Sequence, residues 1–160
     1  MPTVRLSFSP APAHVRTARL VGVAVARRVG VAEELLEEIR LAIGEACSRA
    51  VALHRTYGLP DLIDVSIVDR AERFTVSVVD RAANGGALHP PPTDPAVFLT
   101  DSVPAIGAGP ESISEEVMAA RMGLALLAGL VDDLEVSTVG DGLGTEVQMS
   151  WPLGRTFPHS

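Results

Sequence analysis

The stretch EELLEEIRLAIGEACSRAVALH, residues 33–54, decides the fold. Leu35, Ile39, Ala42, Ile43, Ala46, Ala50 and Leu53 recur at i, i+3 and i+4, which gathers them on one face of an α-helix. Glu33, Glu34, Glu37 and Glu38 crowd the start, where the helix macrodipole favours negative charge. Tyr57, Gly58 and Pro60 end the pattern. Upstream, Val4, Leu6 and Phe8 alternate with Arg5 and Ser7, the period of a half-buried strand, until Pro10 and Pro12 break it. From His14 to Val29, residues Val15, Leu20, Val23, Ala24 and Ala26 recur at roughly helical spacing among Arg16, Arg19, Arg27 and Arg28.

Downstream, Leu62 to Val68 and Phe74 to Val79 alternate on either side of a charged stretch, Asp69 to Arg73, and read as a β-hairpin. Between Asn84 and about Pro110 the chain turns to Gly, Pro, Asp and Ala, so a long loop or lid is expected over about residues 84–111. A helix from Ser112 to Leu130, a strand from Leu134 to Val139, a turn at Gly140 to Gly144 and a strand from Glu146 to Trp151 follow. Residues 154–160 read as a frayed tail. Clustered helices and strands joined by a hairpin favour an α+β, two-layer sandwich over a doubly wound sheet, with a single domain over residues 1–153.

Composition narrows the chemistry. The 160 residues are 47% hydrophobic and carry a net charge of −7, which suits a packed core and opposes a phosphate-tracking nucleic-acid surface. Residues 1–9 lack the apolar run of a signal peptide, and the apolar-rich runs fall short of the ~18 residues of a membrane span, so a cytoplasmic protein without membrane contact is expected. All 13 cations are Arg, which excludes a P-loop lysine and Schiff-base chemistry. Cys47 is alone, and His14, His54, His89 and His159 are scattered, so neither a disulfide framework nor a histidine metal site is expected. No Gly-x-Ser-x-Gly elbow supports a hydrolase.

Several short boxes occur in a telling order. Glu45-Ala46-Cys47-Ser48-Arg49 lies on the long helix and Asp80 ends the hairpin; after the lid come Met122-Gly123-Leu124-Ala125-Leu126-Leu127 and then Gly144-Thr145. No box is specific alone. Together, over about Val4 to Pro152, they resemble the GHKL (Bergerat) ATPase fold, and within it the anti-sigma serine-protein kinases of bacterial partner-switching systems. That fold implies a mixed, mostly antiparallel sheet covered by helices on one face.

The resemblance implies roles. Glu45 matches the general base that acts on a target serine, and Asp80 the carboxylate that accepts the adenine amino group. Gly123, Leu124 and Thr145 fall in the later nucleotide boxes, Gly123 where helix N-terminal amides cradle phosphates. Arg49 stands where the family has the Asn that ligates Mg²⁺, and a guanidinium has five donors and no acceptor. It is left either to pair with phosphate oxygens in place of the metal or to close the site against Glu45. As i and i+4 on a helix, Glu45 and Arg49 also read as an ordinary surface pair worth about 0.2–0.5 kcal/mol. Ala82 and Asn84 replace the glycines expected two and four residues after Asp80, and Arg121 replaces another. Asp80 and Gly144-Thr145 also read simply as turn residues beside strands.

By position, Arg19 matches the arginine that the family presents to both the sigma factor and the anti-anti-sigma protein, with Arg16 sharing its face; a solvated helix face is the plain alternative. Two functions follow. One is an anti-sigma regulator that binds a sigma factor and an anti-anti-sigma partner as a homodimer, with ATP as an implied ligand and Mg²⁺ deprived of its Asn. The other is an active Mg-ATP-dependent serine kinase that phosphorylates its anti-anti-sigma partner. A scaffold that has lost sigma binding as well is a third.

Overall fold

The structure, a computed structural model, describes residues 3–70, 72–82, 115–139, 142 and 144–153. Its elements run β1 (Thr3–Phe8), α1 (Pro12–Val29), α2 (Glu33–Thr56), β2 (Ile63–Arg70), β3 (Arg73–Asp80), α3 (Glu115–Leu130), β4 (Asp133–Thr138) and β5 (Thr145–Pro152). The strands form one open sheet in the order β1-β2-β3-β5-β4. All four pairings are antiparallel, so the sheet contains no parallel pair among the described residues, where a mixed one is expected from the sequence. Residues 83–114 and 154–160, which include the expected lid and tail, lie outside the described residues.

Strand alternation sets the layers. Ile63, Val65 and Ile67 of β2, Phe74, Val76 and Val78 of β3, and Val147, Met149 and Trp151 of β5 are buried, while their neighbours in sequence are only half-buried. The buried set joins Ile39, Ile43, Ala46 and Ala50 of α2 and Leu124 and Leu127 of α3 in one core. α2 packs against both α1 and α3 as well as against β3, so it is enclosed on more than one side. This widens its buried face beyond the expected stripe: Leu36, Cys47, Arg49, Val51 and His54 are interior, whereas Leu35 is only half-buried.

Local signals account for the boundaries. α1 begins with Pro12 in its first turn and stops at Gly30, whose φ of 94° is left-handed, and Val31 N–H donates to Ala26 O at 3.0 Å. α2 runs to Thr56, two residues past the expected end, and closes when Leu59 N–H donates to His54 O at 2.8 Å across Gly58. The hairpin turn is tighter than the charge pattern suggests. Asp69 pairs with Phe74 and Arg70 with Arg73, with Glu72 just before β3 at φ 64°.

One expectation fails in α1. Leu20 is 62% exposed, and the inward positions are Val15, Ala18, Gly22 and Ala26. Those four follow the 3.6-residue period, and Leu20 falls on the opposite side. The small residues let α1 approach α2 closely: a Cβ on Gly22 would lie 2.3 Å from Ile43 Cδ1.

Cys47 is buried in this core, and burial pushes its thiol up to about 12 against the opposing pull of the Arg19 charge. The native thiol is therefore expected to resist iodoacetamide at neutral pH and to react fully in denaturant, because the thiolate is the nucleophile. Folding also favours the protonated thiol, so its contribution to stability is complete below its ordinary value near 9 and is lost as pH rises towards 12. A Cys47→Ala variant should lack that component of an alkaline unfolding profile. Rapid labelling of the native protein at neutral pH would refute the assignment.

Candidate functional site

The sheet brings Asp80 and Thr145 together. They are direct partners at the end of the β3–β5 ladder, and both side chains are buried. Gly144 makes the approach possible, since a Cβ there would meet Asp80 O at 2.3 Å. Asp80 itself is 1% exposed, so its carboxylate needs partners within the protein. It has two: Oδ1 accepts the Ala82 N–H at 2.9 Å, a local turn closure, and Oδ2 accepts from Arg49 Nη1 at 3.0 Å.

That second contact resolves Arg49. The side chain is 2% exposed, so it is no surface residue, and it reaches from α2 across to the end of β3. Its ion-pair partner among the described residues is Asp80 and not Glu45. Burial lowers the guanidinium's affinity for its proton, and the Asp80 charge and hydrogen bond pull the other way. Nε and Nη2 have no hydrogen-bond partner among the described residues, so the buried cation is only partly satisfied.

Glu45 lies one turn earlier on α2, half-buried, facing α3. Its Oε1 would lie 2.8 Å from a Cβ on Gly123, so the missing side chain of Gly123 makes room for this carboxylate. Gly123 stands in the interior of α3, with eight helical residues before it. Its amide therefore lies inside the helix and not in its first turn, where a phosphate cradle is expected from the resemblance. Leu124 is fully buried in the hydrophobic core. Asn84 and the side chain of Arg121 lie outside the described residues.

Position 49 offers only donors, and no group of three or more His, Cys, Asp or Glu among the described residues could hold a metal ion. The acceptor oxygens that an adenine amino group would seek are both engaged by the chain's own donors. The arrangement is a buried ion pair between α2 and the end of β3.

Two further features complete the region. Arg16 and Arg19 do share a face, lining a groove of about 310 Å³ between α1 and α2 with Pro12, Val15, Ser48, Val51, Ala52 and Arg55. Arg19 also lies over Gly44, where a Cβ would come 2.9 Å from its Cδ. The other feature is His54, set aside at the sequence level as one of four scattered histidines. It is fully buried, and the Arg81 N–H donates to its Nε2 at 2.9 Å. Its spacing was the available signal, since it follows Cys47 by seven residues and Ala50 by four on the interior face of α2.

Known proteins share this fold. A family described as "Histidine kinase-like ATPase domain" matches residues 8–151. The serine-protein kinase RsbW of Oceanobacillus iheyensis is 24% identical over 145 residues, covering 84% of this chain and 78% of that protein. The crystal structure of the RsbU and RsbW domains of a Mycobacterium tuberculosis protein superposes with a TM-score of 0.58 at 16% identity, covering 96% of this chain and 32% of that one. This chain therefore spans about a third of that structure's chain, and the likeness at that identity is one of fold. Among the described residues no helix is long and apolar enough to cross a membrane. With the order of its boxes, the antiparallel sheet under three helices and a match over residues 8–151 in agreement, the chain belongs to the histidine kinase-like ATPase domain family.

Proposed function

We propose that this chain is an anti-sigma regulator that works by binding: it captures a sigma factor, yields it to an anti-anti-sigma partner, and transfers little or no phosphate. The observation that carries this reading is the buried contact between Arg49 and Asp80. It sets a donor-only cation at the position that the resemblance gives to the metal ligand and engages the carboxylate that it gives to adenine, while leaving the scaffold packed. The likeness to RsbW supports the partner classes. The α1–α2 groove supports the binding face, because Arg16 and Arg19 border an apolar floor of Val15, Val51 and Ala52. An arginine whose stem packs on apolar surface while its head reaches a carboxylate is a common interface anchor. A homodimer is part of the same proposal.

One observation favours the kinase reading. Glu45 keeps a half-exposed carboxylate beside Gly123, where a base for a serine hydroxyl would be needed. The experiment mixes the purified chain with Mg-ATP and candidate anti-anti-sigma proteins from the same genome and measures phosphoserine, with sigma-factor capture assayed in parallel. Capture without phosphoserine is expected, and stoichiometric phosphorylation would overturn the proposal. In the same assay Arg19→Ala is expected to weaken capture by about tenfold or more while leaving the thermal unfolding transition in place. Unchanged capture would remove the groove from the interface.

A further inference from the structure

His54 takes part in none of the chemistry above, yet its surroundings specify its state. One neighbour is the Arg81 N–H, which can only donate, 2.9 Å from Nε2. The other is the Asp61 carbonyl, which can only accept, 3.1 Å from Nδ1. One form of the ring satisfies both: neutral, with the proton on Nδ1 and Nε2 bare. The imidazolium would set N–H against N–H at Nε2.

We infer that His54 is a positioning residue for Asp80, holding residues 80–82 against α2 so that the carboxylate stays opposed to Arg49. Arg49 and His54 stand five residues apart on α2 and engage consecutive residues of one segment, the first through the Asp80 carboxylate and the second through the Arg81 amide. The next amide, of Ala82, returns to Asp80 Oδ1, and the Ala82 side chain packs on Leu53, the neighbour of His54. Three successive residues are thus fixed by side chains of one helix. The charges around the ring are otherwise occupied: the Arg81 side chain turns outward to Asp64 at 3.3 Å, Arg49 pairs with Asp80, Asp61 presents its carbonyl, and Arg55 follows on the helix, lining the α1–α2 groove. A ring held this way keeps residues 80–82 against α2 without a bound ligand. The assignment does not depend on whether the chain transfers phosphate.

The two nitrogens can be tested separately. In His54→Gln the side-chain oxygen reaches the place of Nε2 and can still accept the Arg81 N–H. In His54→Asn the amide reaches the place of Nδ1 and can still serve Asp61, but nothing accepts from Arg81. Residue-resolved amide exchange on the free chain should show Arg81 and Ala82 protected in the wild type and within about tenfold of that in His54→Gln. In His54→Asn they should exchange roughly 100-fold faster, the order expected for one lost buried hydrogen bond. Amides of Val76 and Val147 should keep their rates, and the Arg49 side-chain N–H signals should broaden or exchange faster in the Asn variant alone. Equal loosening by both variants, or none in His54→Asn, would overturn the assignment. If neither variant folds, nitrogen NMR of the wild-type ring at neutral pH decides: a bare Nε2 and protonated Nδ1 are expected, and the opposite tautomer or a charged ring would refute it.

Discussion

Replacing Asp80 by Asn is expected to lower the free energy of unfolding by about 3–5 kcal/mol, the largest stability effect of any single polar substitution in the described core. The cause lies in what remains behind. Arg49 is 2% exposed and already has two nitrogens without partners among the described residues, where Asp80 supplies its counter-charge and a hydrogen bond. An Asn at position 80 could offer its oxygen either to Arg49 or to the Ala82 N–H, but its amide nitrogen would then face the other donor. Urea unfolding of the variant, read by the fluorescence of Trp151, measures the loss. A change below about 1 kcal/mol would mean that Arg49 readily leaves the interior. Combining Asp80→Asn with Arg49→Met should recover most of the loss, because the cation is gone and the Asn oxygen is free to accept from Ala82.

That pair also marks the limit of what the sequence discloses. The fold was legible because its signals are local and repeated: the stripe on α2, the alternation of β2, β3 and β5, and the stops at Gly30 and Gly58 each follow from a few neighbouring residues. The order of the boxes then identified the family. The details that failed depend on three-dimensional neighbours. Leu20 looked inward until the Gly22–Ile43 contact fixed the rotation of α1. For Glu45 and Arg49 a site role and a surface pair both stayed open, because i, i+4 spacing says nothing of a strand end 31 residues away that draws the guanidinium inward. His54 bonds only main-chain groups, so no side-chain motif could have revealed it.

Arg49→Asn should convert the buried ion pair into a site with measurable, metal-dependent affinity for ATP, at least tenfold above the wild type by calorimetry. The substitution acts twice. It frees Asp80 Oδ2, leaving one acceptor for an adenine amino group while Ala82 N–H still holds Oδ1. It also puts a carbonyl oxygen where a guanidinium stood, one turn from Glu45, and oxygen is the ligand type that Mg²⁺ takes. Asn is shorter than Arg, so water can enter the vacated space and solvate Asp80, which keeps the cost in stability below that of Asp80→Asn. Nucleotide binding should then return part of that loss through mass action, as a rise in melting temperature with ATP and Mg²⁺ that disappears with chelator and is absent from the wild type. Ala82 sets the ceiling, because its side chain packs on Leu53 where the resemblance implies a glycine. A folded Arg49→Asn protein that binds no ATP would show that the arginine is not what closes the site. Binding without phosphoserine on any partner would instead place the block at the serine end of the reaction, where Glu45 rests on Gly123.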